Sequence, residues 1–138
     1  MTSRILVPVD LDNLEKLDKA FEIAAKTAKD HDATVTYVGV IDPVPTASKR
    51  REGFEAQKQL DAFAEMQAQT HGIRTDDHIA LRGDLHLHVG REIIRAAENA
   101  DCDLIVMASH VPGFKDHFLT SNAGYVATYA PMSVYVVR

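Results

Sequence analysis

The stretch that decides the fold lies late in the chain and reads Leu104-Ile105-Val106-Met107-Ala108-Ser109-His110-Val111-Pro112-Gly113, followed by Thr120-Ser121-Asn122-Ala123-Gly124-Tyr125-Val126. Its first five residues form an unbroken apolar run, which small and polar residues end. After a short interval, a hydroxyl and amide cluster opens a helical pattern. This order predicts a strand, a loop and a helix N-terminus, the arrangement with which α/β proteins hold an anion.

The rest of the chain alternates predicted strands with predicted helices. Apolar and β-branched runs predict strands at residues 5–9, 34–41, 78–82, 104–108 and 133–137. The polarity of residues 78–82 alternates, which is typical of an edge strand. Residues 43–53, with two prolines and a basic run, predict a loop.

Apolar residues at three- and four-residue steps predict four amphipathic helices between these strands. We expect Asp12 or Asn13 to cap the first helix and His71-Gly72 to end the second. The residues expected to face the core are Leu14, Leu17, Phe21, Ala24 and Ala28 in the first helix, Phe54, Leu60, Phe63, Ala64 and Met66 in the second, Val89, Ile93, Ile94 and Ala97 in the third, and Ala123, Val126, Ala127 and Ala130 in the fourth.

Alternating elements of this kind predict an α/β fold, an open parallel sheet covered by helices on both faces. The alternation by itself leaves the strand order open. Ligands of such sheets bind beyond the carboxyl ends of the strands, where the strand order reverses. The candidate segments at that edge are Pro8-Val9-Asp10, Val40-Ile41-Asp42 and residues 107–113.

Composition narrows the function further. A chain of 138 residues with 46% hydrophobic residues predicts one domain over residues 1–138. The net charge of −5 argues against nucleic-acid binding. No apolar run approaches the ~20 residues that span a bilayer, so we expect no membrane insertion. The first residues lack a signal-peptide pattern, and the single cysteine excludes an intrachain disulfide. We therefore expect a cytoplasmic protein.

Several segments together resemble the universal stress protein family. Val7-Pro8-Val9-Asp10 looks like the end of that family's first strand, and Gly83-Asp84 like the turn before its third helix. Residues 102–110 are similar to the family's Ala-Asp-Leu-Ile-Val-Met-Gly-Ser-His, and residues 130–137 to its closing Ala-Pro-Cys-Pro-Val-Leu-Val-Val. The resemblance implies a Rossmann-like three-layer sandwich, of the adenine nucleotide alpha hydrolase type, with a five-stranded parallel sheet of order 3-2-1-4-5.

The same resemblance implies a site for ATP or another adenine nucleotide, to which Mg²⁺ could be bound through the phosphates. Asp10 would contact ribose or adenine, the backbone around Val40 would line the base, and Met107 and Ala108 would flank the phosphate loop. The full set of implied nucleotide-binding residues is Pro8, Val9, Asp10, Val40, Met107, Ala108, Val111, Gly113, Thr120, Ser121, Asn122 and Ala123.

The phosphate loop departs from the family's Gly-x2-Gly-x9-Gly-Ser/Thr pattern. Ala108, Val111 and Thr120 stand where glycines are expected, and the spacing between the last two is one residue short. A β-branched residue followed by Pro112 resists the positive φ that glycine permits, so this loop cannot copy the glycine version. Gly113 offers a new flexible point, and Ser121 matches the family.

Structural roles compete with each binding role. Asp10 can simply begin the turn after the first strand, Ser121 and Asn122 can be ordinary helix caps, and Met107 can fill the core. A metal site is disfavoured because His86, His88, His110 and His117 have no partners at zinc spacing. Lys49-Arg50-Arg51 reads as a solvated charge run in the loop.

Catalytic chemistry has little support. Cys102 precedes a buried strand, where a structural thiol is usual, and no nucleophile elbow surrounds Ser109. Two hypotheses follow: a nucleotide-sensing module with at most slow, incidental ATP hydrolysis, or an interaction protein of the same fold that does not bind nucleotide. An ATP-consuming enzyme is a weaker third. We also expect a homodimer through the strand at 133–137, since an apolar edge invites pairing, together with an unknown protein partner.

Overall fold

The computed structural model describes residues 2–41, 47–81, 89–109 and 122–138, and within these ranges the chain forms one parallel sheet. Its strands are β1 (Arg4–Val9), β2 (Thr34–Ile41), β3 (Arg74–Leu81), β4 (Leu104–Ala108) and β5 (Ser133–Val137). Its helices are α1 (Asp18–His31), α2 (Ala47–His71), α3 (Val89–Asn99) and α4 (Ala123–Tyr129), and a 3-10 segment covers Leu11–Leu17. The strand order is β3-β2-β1-β4-β5, which confirms the expected fold class.

The strands in the middle of the sheet are buried on both faces, as continuous apolar runs require. Every residue from Ile5 to Val9 is buried, and Ile105 to Ala108 are buried as well. Right-handed crossovers place α1 and α2 on one face of the sheet and α3 and α4 on the other. On the first face an aromatic cluster joins Phe21, Tyr37 and Phe63, with ring centroids 4.8 to 6.1 Å apart.

Three helices end in the same way at the amino end of the sheet. The residues after α1, α2 and α3 include Asp32, Gly72 and Asp101, whose φ angles of 54°, 64° and 54° are left-handed. In each case a following backbone N–H returns to the last turn of the helix, as from Ala33 to the Ala28 carbonyl at 2.8 Å and from Cys102 to the Ala97 carbonyl at 2.8 Å. These left-handed stops turn the chain directly into the next strand.

The start of the first helix was predicted wrongly. The leucines at 11, 14 and 17 lie on a 3-10 segment, whose three-residue period they match, and the α-helix begins at Asp18. Neither Asp12 nor Asn13 caps it, because Leu17 occupies the cap position without a side-chain cap hydrogen bond. Asn13 instead has non-helical backbone angles inside the 3-10 segment.

The boundaries of α2 and β3 also differ from the prediction. The helix begins at Ala47, so most of the predicted loop, including Lys49-Arg50-Arg51, has helical backbone; residues 43–46 lie outside the described ranges. The edge strand begins at Arg74 rather than His78. Its early residues are polar because they bond to α2: the Thr75 hydroxyl donates to the Ala64 carbonyl at 3.1 Å.

Three residues expected in the core are exposed. Phe54 and Met66 of α2 are 66% and 53% exposed, and Ala127 of α4 is exposed too. Among the described side chains of α2, which begin at Phe54, Leu60 is the first that is fully buried. The core residues predicted for α3, and the bounds of β4 and β5, are confirmed.

Candidate functional site

The candidate site lies where β1 and β4 separate at the carboxyl end of the sheet. β1 pairs with β2 from Arg4↔Thr34 to Val9↔Gly39, along its whole length. Its pairing with β4 covers Ile5↔Leu104 and Leu6↔Ile105, near the amino ends of the strands. The strand order reverses at this same point, since β2 and β3 extend to one side and β4 and β5 to the other. Parallel sheets bind ligands at such a point.

Asp10 follows β1 directly, at the carboxyl end of the strand, where β1 and β4 are no longer paired. Its residue is 8% exposed, so its carboxyl group is one of the few buried acidic groups of the described chain. Asn13 donates to it twice, from the side-chain amide to the carboxylate at 3.0 Å and from the backbone N–H to the carbonyl at 3.0 Å. Asp10 therefore begins a turn, as the structural alternative predicted, and also places a buried acceptor at the edge of the sheet.

The other strand residues of the predicted site are core residues. Pro8, Val9, Met107 and Ala108 are all buried, and Met107 has no exposed surface. Met107 thus fills the core, as the alternative for it predicted. These four residues bring the ends of β1 and β4 to the site as an apolar floor. The backbone of Val40 lies in β2 one residue beyond Gly39, which pairs with Val9.

Asn122 performs a role that neither prediction for it anticipated. It occupies the cap position of α4 but makes no cap hydrogen bond to its own helix. Its side-chain oxygen accepts instead from the backbone N–H of Gly90 in α3, at 3.0 Å. Ala123 beside it is buried. The predicted residues Val111, Gly113, Thr120 and Ser121, and the histidines at 86, 88, 110 and 117, lie outside the described ranges.

Gly90 permits this contact between α3 and α4. A Cβ atom at this position would lie 2.6 Å from Cδ1 of Tyr125 and 3.3 Å from the Asn122 side-chain oxygen. The ring of Tyr125 also packs on that of Tyr129, with centroids 4.7 Å apart. The contact between Gly90 and Asn122 was not predicted from the sequence, because the apolar pattern of one helix does not reveal which residue of a second helix approaches it.

The described polar groups give no support to catalysis. Ser109 donates to the Val137 carbonyl, from its N–H at 2.8 Å and its hydroxyl at 3.4 Å, so it joins β4 to β5. Cys102 is buried at the opposite, amino end of the sheet, and burial raises the pKa of its thiol to about 11. Within residues 2–41, 47–81, 89–109 and 122–138, no group of three or more metal-binding side chains is placed to hold an ion.

None of the described helices is long and apolar enough to cross a membrane. The longest, α2, carries charged and polar residues along its whole length.

The fold is that of a Rossmann-like α/β protein with a parallel sheet of order 3-2-1-4-5, a class that binds ligands beyond the carboxyl ends of its strands. A sequence model of the universal stress protein family matches residues 1–138, and the chain belongs to that family. Universal stress protein G of Shigella flexneri is 30% identical over 146 residues, which span 100% of each chain.

Two solved structures with the same fold contain adenine nucleotides. A universal stress protein in complex with cAMP has a TM-score of 0.74 and 16% identity, and covers 99% of this chain and 97% of its own. The universal stress protein of Archaeoglobus fulgidus in complex with dAMP has a TM-score of 0.74 and 20% identity, covering 99% and 98%. At these low identities, the TM-scores show a shared fold alone.

Proposed function

We propose that this chain is a regulatory module of the stress response that binds an adenine nucleotide, ATP or AMP, between the ends of β1 and β4. It would act in the cytoplasm as a single domain over residues 1–138. The observation that carries the proposal is Asp10, a buried carboxylate at the point where the strand order reverses. The cAMP and dAMP complexes of proteins with this fold support the choice of adenine.

The chemistry of Asp10 fits a nucleoside. A carboxylate only accepts hydrogen bonds, so a buried one suits a ligand that offers donors. Ribose hydroxyls and the adenine amino group are donors, and a bond between a neutral donor and a buried carboxylate is stronger than a bond between neutral groups. Pro8, Val9 and the backbone of Val40 would meet the sugar and base, because they belong to the same strand ends.

The phosphates would lie on the β4 side of the site. Met107 and Ala108 end β4, and the chain returns at Asn122 and Ala123, so the intervening residues Val111, Gly113, Thr120 and Ser121 would supply backbone and hydroxyl donors. Mg²⁺ would enter with ATP, bound mainly by its phosphates. We propose regulation rather than catalysis, with ATP hydrolysis slow and incidental.

The alternative is an interaction protein of the same fold that does not bind nucleotide. One observation in its favour is that Asn122 joins α4 to α3, since its side-chain oxygen accepts from the Gly90 N–H. The replacement of the family's loop glycines by Ala108, Val111 and Thr120 also favours an interaction protein.

A direct test is native mass spectrometry of the chain purified without added nucleotide, followed by titration with ATP, ADP, AMP and cAMP. We expect one nucleotide per chain at micromolar concentration. A chain that carries no small molecule and shows no bound mass at millimolar nucleotide would leave the interaction protein as the function.

We further propose a homodimer through β5, which forms one edge of the sheet. The Val137 carbonyl accepts from Ser109 of β4, so the backbone groups of Ser133, Tyr135 and Val137 face inward. Those of Val134 and Val136 must then face outward, because they alternate along a strand. An antiparallel second copy centred on Tyr135 would place Val134 of each copy opposite Val136 of the other. The side chain of Tyr135, 48% exposed, would meet its own counterpart.

Val134→Pro tests this register. The substitution removes one outward-facing N–H, a change that an edge strand tolerates, so it should yield a folded monomer at concentrations where the native chain is dimeric by analytical ultracentrifugation. Tyr129→Ala, at an exposed position on α4, is the matched control and should remain dimeric. A native chain that is monomeric at tens of micromolar, or a dimeric Val134→Pro variant, would contradict the proposed pairing.

A further inference from the structure

A pair of carboxyl groups joins α2 to the edge strand β3 away from the proposed nucleotide site. Asp61 lies on α2 and Asp77 on β3, and Gln57 bonds both: its amide nitrogen donates to Asp61 at 2.6 Å and to Asp77 at 2.9 Å. The shared amide nitrogen therefore brings the two carboxyl groups close to each other. Two carboxylates this close cannot both ionise without repulsion, so the pair favours holding one proton between them.

The surroundings strengthen this preference. Desolvation and the neighbouring Asp61 raise the pKa of Asp77 to about 6, while the hydrogen bonds from Asp77 and Gln57 lower that of Asp61. The two groups titrate as one system, so the values belong to the pair rather than to either residue.

No described cation lies close enough to replace the proton. Tyr37 of β2 is opposite Asp77 in the sheet and on the same face, and it is buried. Asp76 adds a second negative charge beside Asp77, and its own described ion-pair partner is Arg4, at 3.8 Å on the other face. The exposed charged groups nearest along α2 and β3, and on the 3-10 segment packed against α2, are Lys58, Glu65, His78, Glu15 and Lys16.

The pair lies at the boundary between two halves of α2. From Leu60 onward the described side chains include buried ones that pack on the sheet, whereas Phe54 and Glu55 are exposed. The helix of 25 residues is about 37 Å long, longer than the roughly 26 Å of the eight-residue β3. Among the described contacts, the first half is held by Gln57 with its two acids and by Gln59, which donates to the Leu11 carbonyl at 3.1 Å.

We propose that the Asp61–Asp77 pair is a proton-controlled latch that fastens the first half of α2 to β3 when protonated and loosens it when the shared proton is lost. The segment that would be released, residues 47–56, begins where the chain returns from the carboxyl end of β2. It carries Lys49-Arg50-Arg51, so the latch would control how a basic helical segment is presented near the end of the sheet where the nucleotide site is proposed. The latch stands on its own contacts and does not depend on nucleotide binding.

The sign of the effect follows from the raised pKa. A folded state that binds a proton more tightly than the unfolded chain is stabilised at low pH and loses that stabilisation as the pH rises. The stabilisation is fully present below pH 3.8, the ordinary pKa of the carboxyl group. It is lost as the pH rises through about 6, the pKa of Asp77 in the folded chain. The first half of α2 should therefore be better protected at pH 5 than at pH 7.5.

Amide hydrogen exchange tests the latch, with rates corrected for the intrinsic effect of pH. In the native chain, protection of residues 49–58 should fall several-fold between pH 5 and pH 7.5, while that of residues 62–70 stays constant. Asp77→Asn mimics the protonated acid, so it should keep the protection at both pH values. Asp76→Asn, on the opposite face, removes only the weakest of the influences that raise the pKa of Asp77, so this control should keep the loss of protection and shift it to slightly lower pH.

Carbon-13 NMR of the aspartate carboxyl groups supplies an independent measurement that does not depend on variants. The pair should show one titration step above pH 5 that disappears in Asp61→Asn. Two ordinary titrations near pH 4, or an unchanged loss of protection in Asp77→Asn, would overturn the proposal.

Discussion

At the amino end of the sheet each described helix–strand turn is closed by the chain's own groups, whereas at the carboxyl end the strands separate around a buried acid. Asp103, before β4, accepts from the Ser3 N–H at 2.8 Å, the Ser3 hydroxyl at 3.1 Å and the Arg4 N–H at 3.3 Å. Asp10, after β1, accepts from Asn13 next to a point where β1 and β4 are no longer paired.

We infer that the aspartate at the amino end of the sheet stabilises the fold, whereas the aspartate at the carboxyl end recognises a ligand. Asp103 ties the start of β1 to the start of β4, so its hydrogen bonds cross between strands. Asp10 accepts from Asn13 within its own turn, and we propose that its charge serves the ligand. Substitutions at the amino end should therefore change stability and leave binding intact, and substitutions of Asp10 should do the reverse.

The largest effect on stability is expected where α3 meets α4. Gly90→Ala places a Cβ atom 2.6 Å from the Tyr125 ring, and overpacking of this kind costs about 1–3 kcal/mol. Gly124→Ala is the matched control, because its Cβ would meet nothing within 4 Å and alanine favours a helix. In denaturant unfolding, the free energy of unfolding of Gly90→Ala should therefore be lower than that of Gly124→Ala by that amount. Equal stabilities would mean that the close approach at Gly90 carries no constraint.

Asp103→Ala should have the next largest effect. It removes hydrogen bonds to a half-buried carboxylate and should lower the free energy of unfolding by about 1–2 kcal/mol. Although burial opposes ionisation of Asp103, the hydrogen bonds from Ser3 and Arg4 outweigh it and hold its pKa below 3.8. This stabilisation is present above pH 3.8 and is lost as the pH falls through the folded pKa. The native chain and the variant should thus converge in stability in acid, and a constant difference down to pH 2 would contradict this account.

The smallest effect is expected at Asp101, whose φ of 54° suits glycine. Asp101→Gly relieves the left-handed conformation but makes the unfolded chain more flexible, so the net gain should be about 0.5 kcal/mol or less. A thermal melt should show a small rise in the midpoint. A clear fall would mean that the Asp101 side chain makes a stabilising contact of its own.

Much of the fold follows from apolar patterning alone. β4 and β5 are short buried or edge runs between clear breaks, and their predicted bounds match the structure. β3 and α2 were placed less well because they meet through polar contacts, Thr75 with Ala64 and Asp77 with Gln57, which leave no apolar signal. The 3-10 segment was assigned to an α-helix because leucines three residues apart suit both.

The candidate site was predictable in position more than in detail. Asp10 could be identified because it follows a buried strand at the functional end of a parallel sheet. The bond from Gly90 to Asn122 joins residues that are 32 positions apart on separate helices, so no local pattern encodes it. The Asp61–Asp77 pair was missed for the same reason.

The central claim is most directly tested by calorimetric titration of ATP, ADP and AMP into the native chain and into Asp10→Asn and Asp103→Asn. We predict micromolar affinity for the native chain and for Asp103→Asn, and an affinity about tenfold to a hundredfold weaker for Asp10→Asn, as expected for the loss of a charged hydrogen-bond acceptor. Asp10→Asn should unfold at nearly the native denaturant concentration, and Asp103→Asn at a lower one. Equal affinities of Asp10→Asn and the native chain, or no binding by either, would contradict the assignment of the nucleotide site to the carboxyl end of β1.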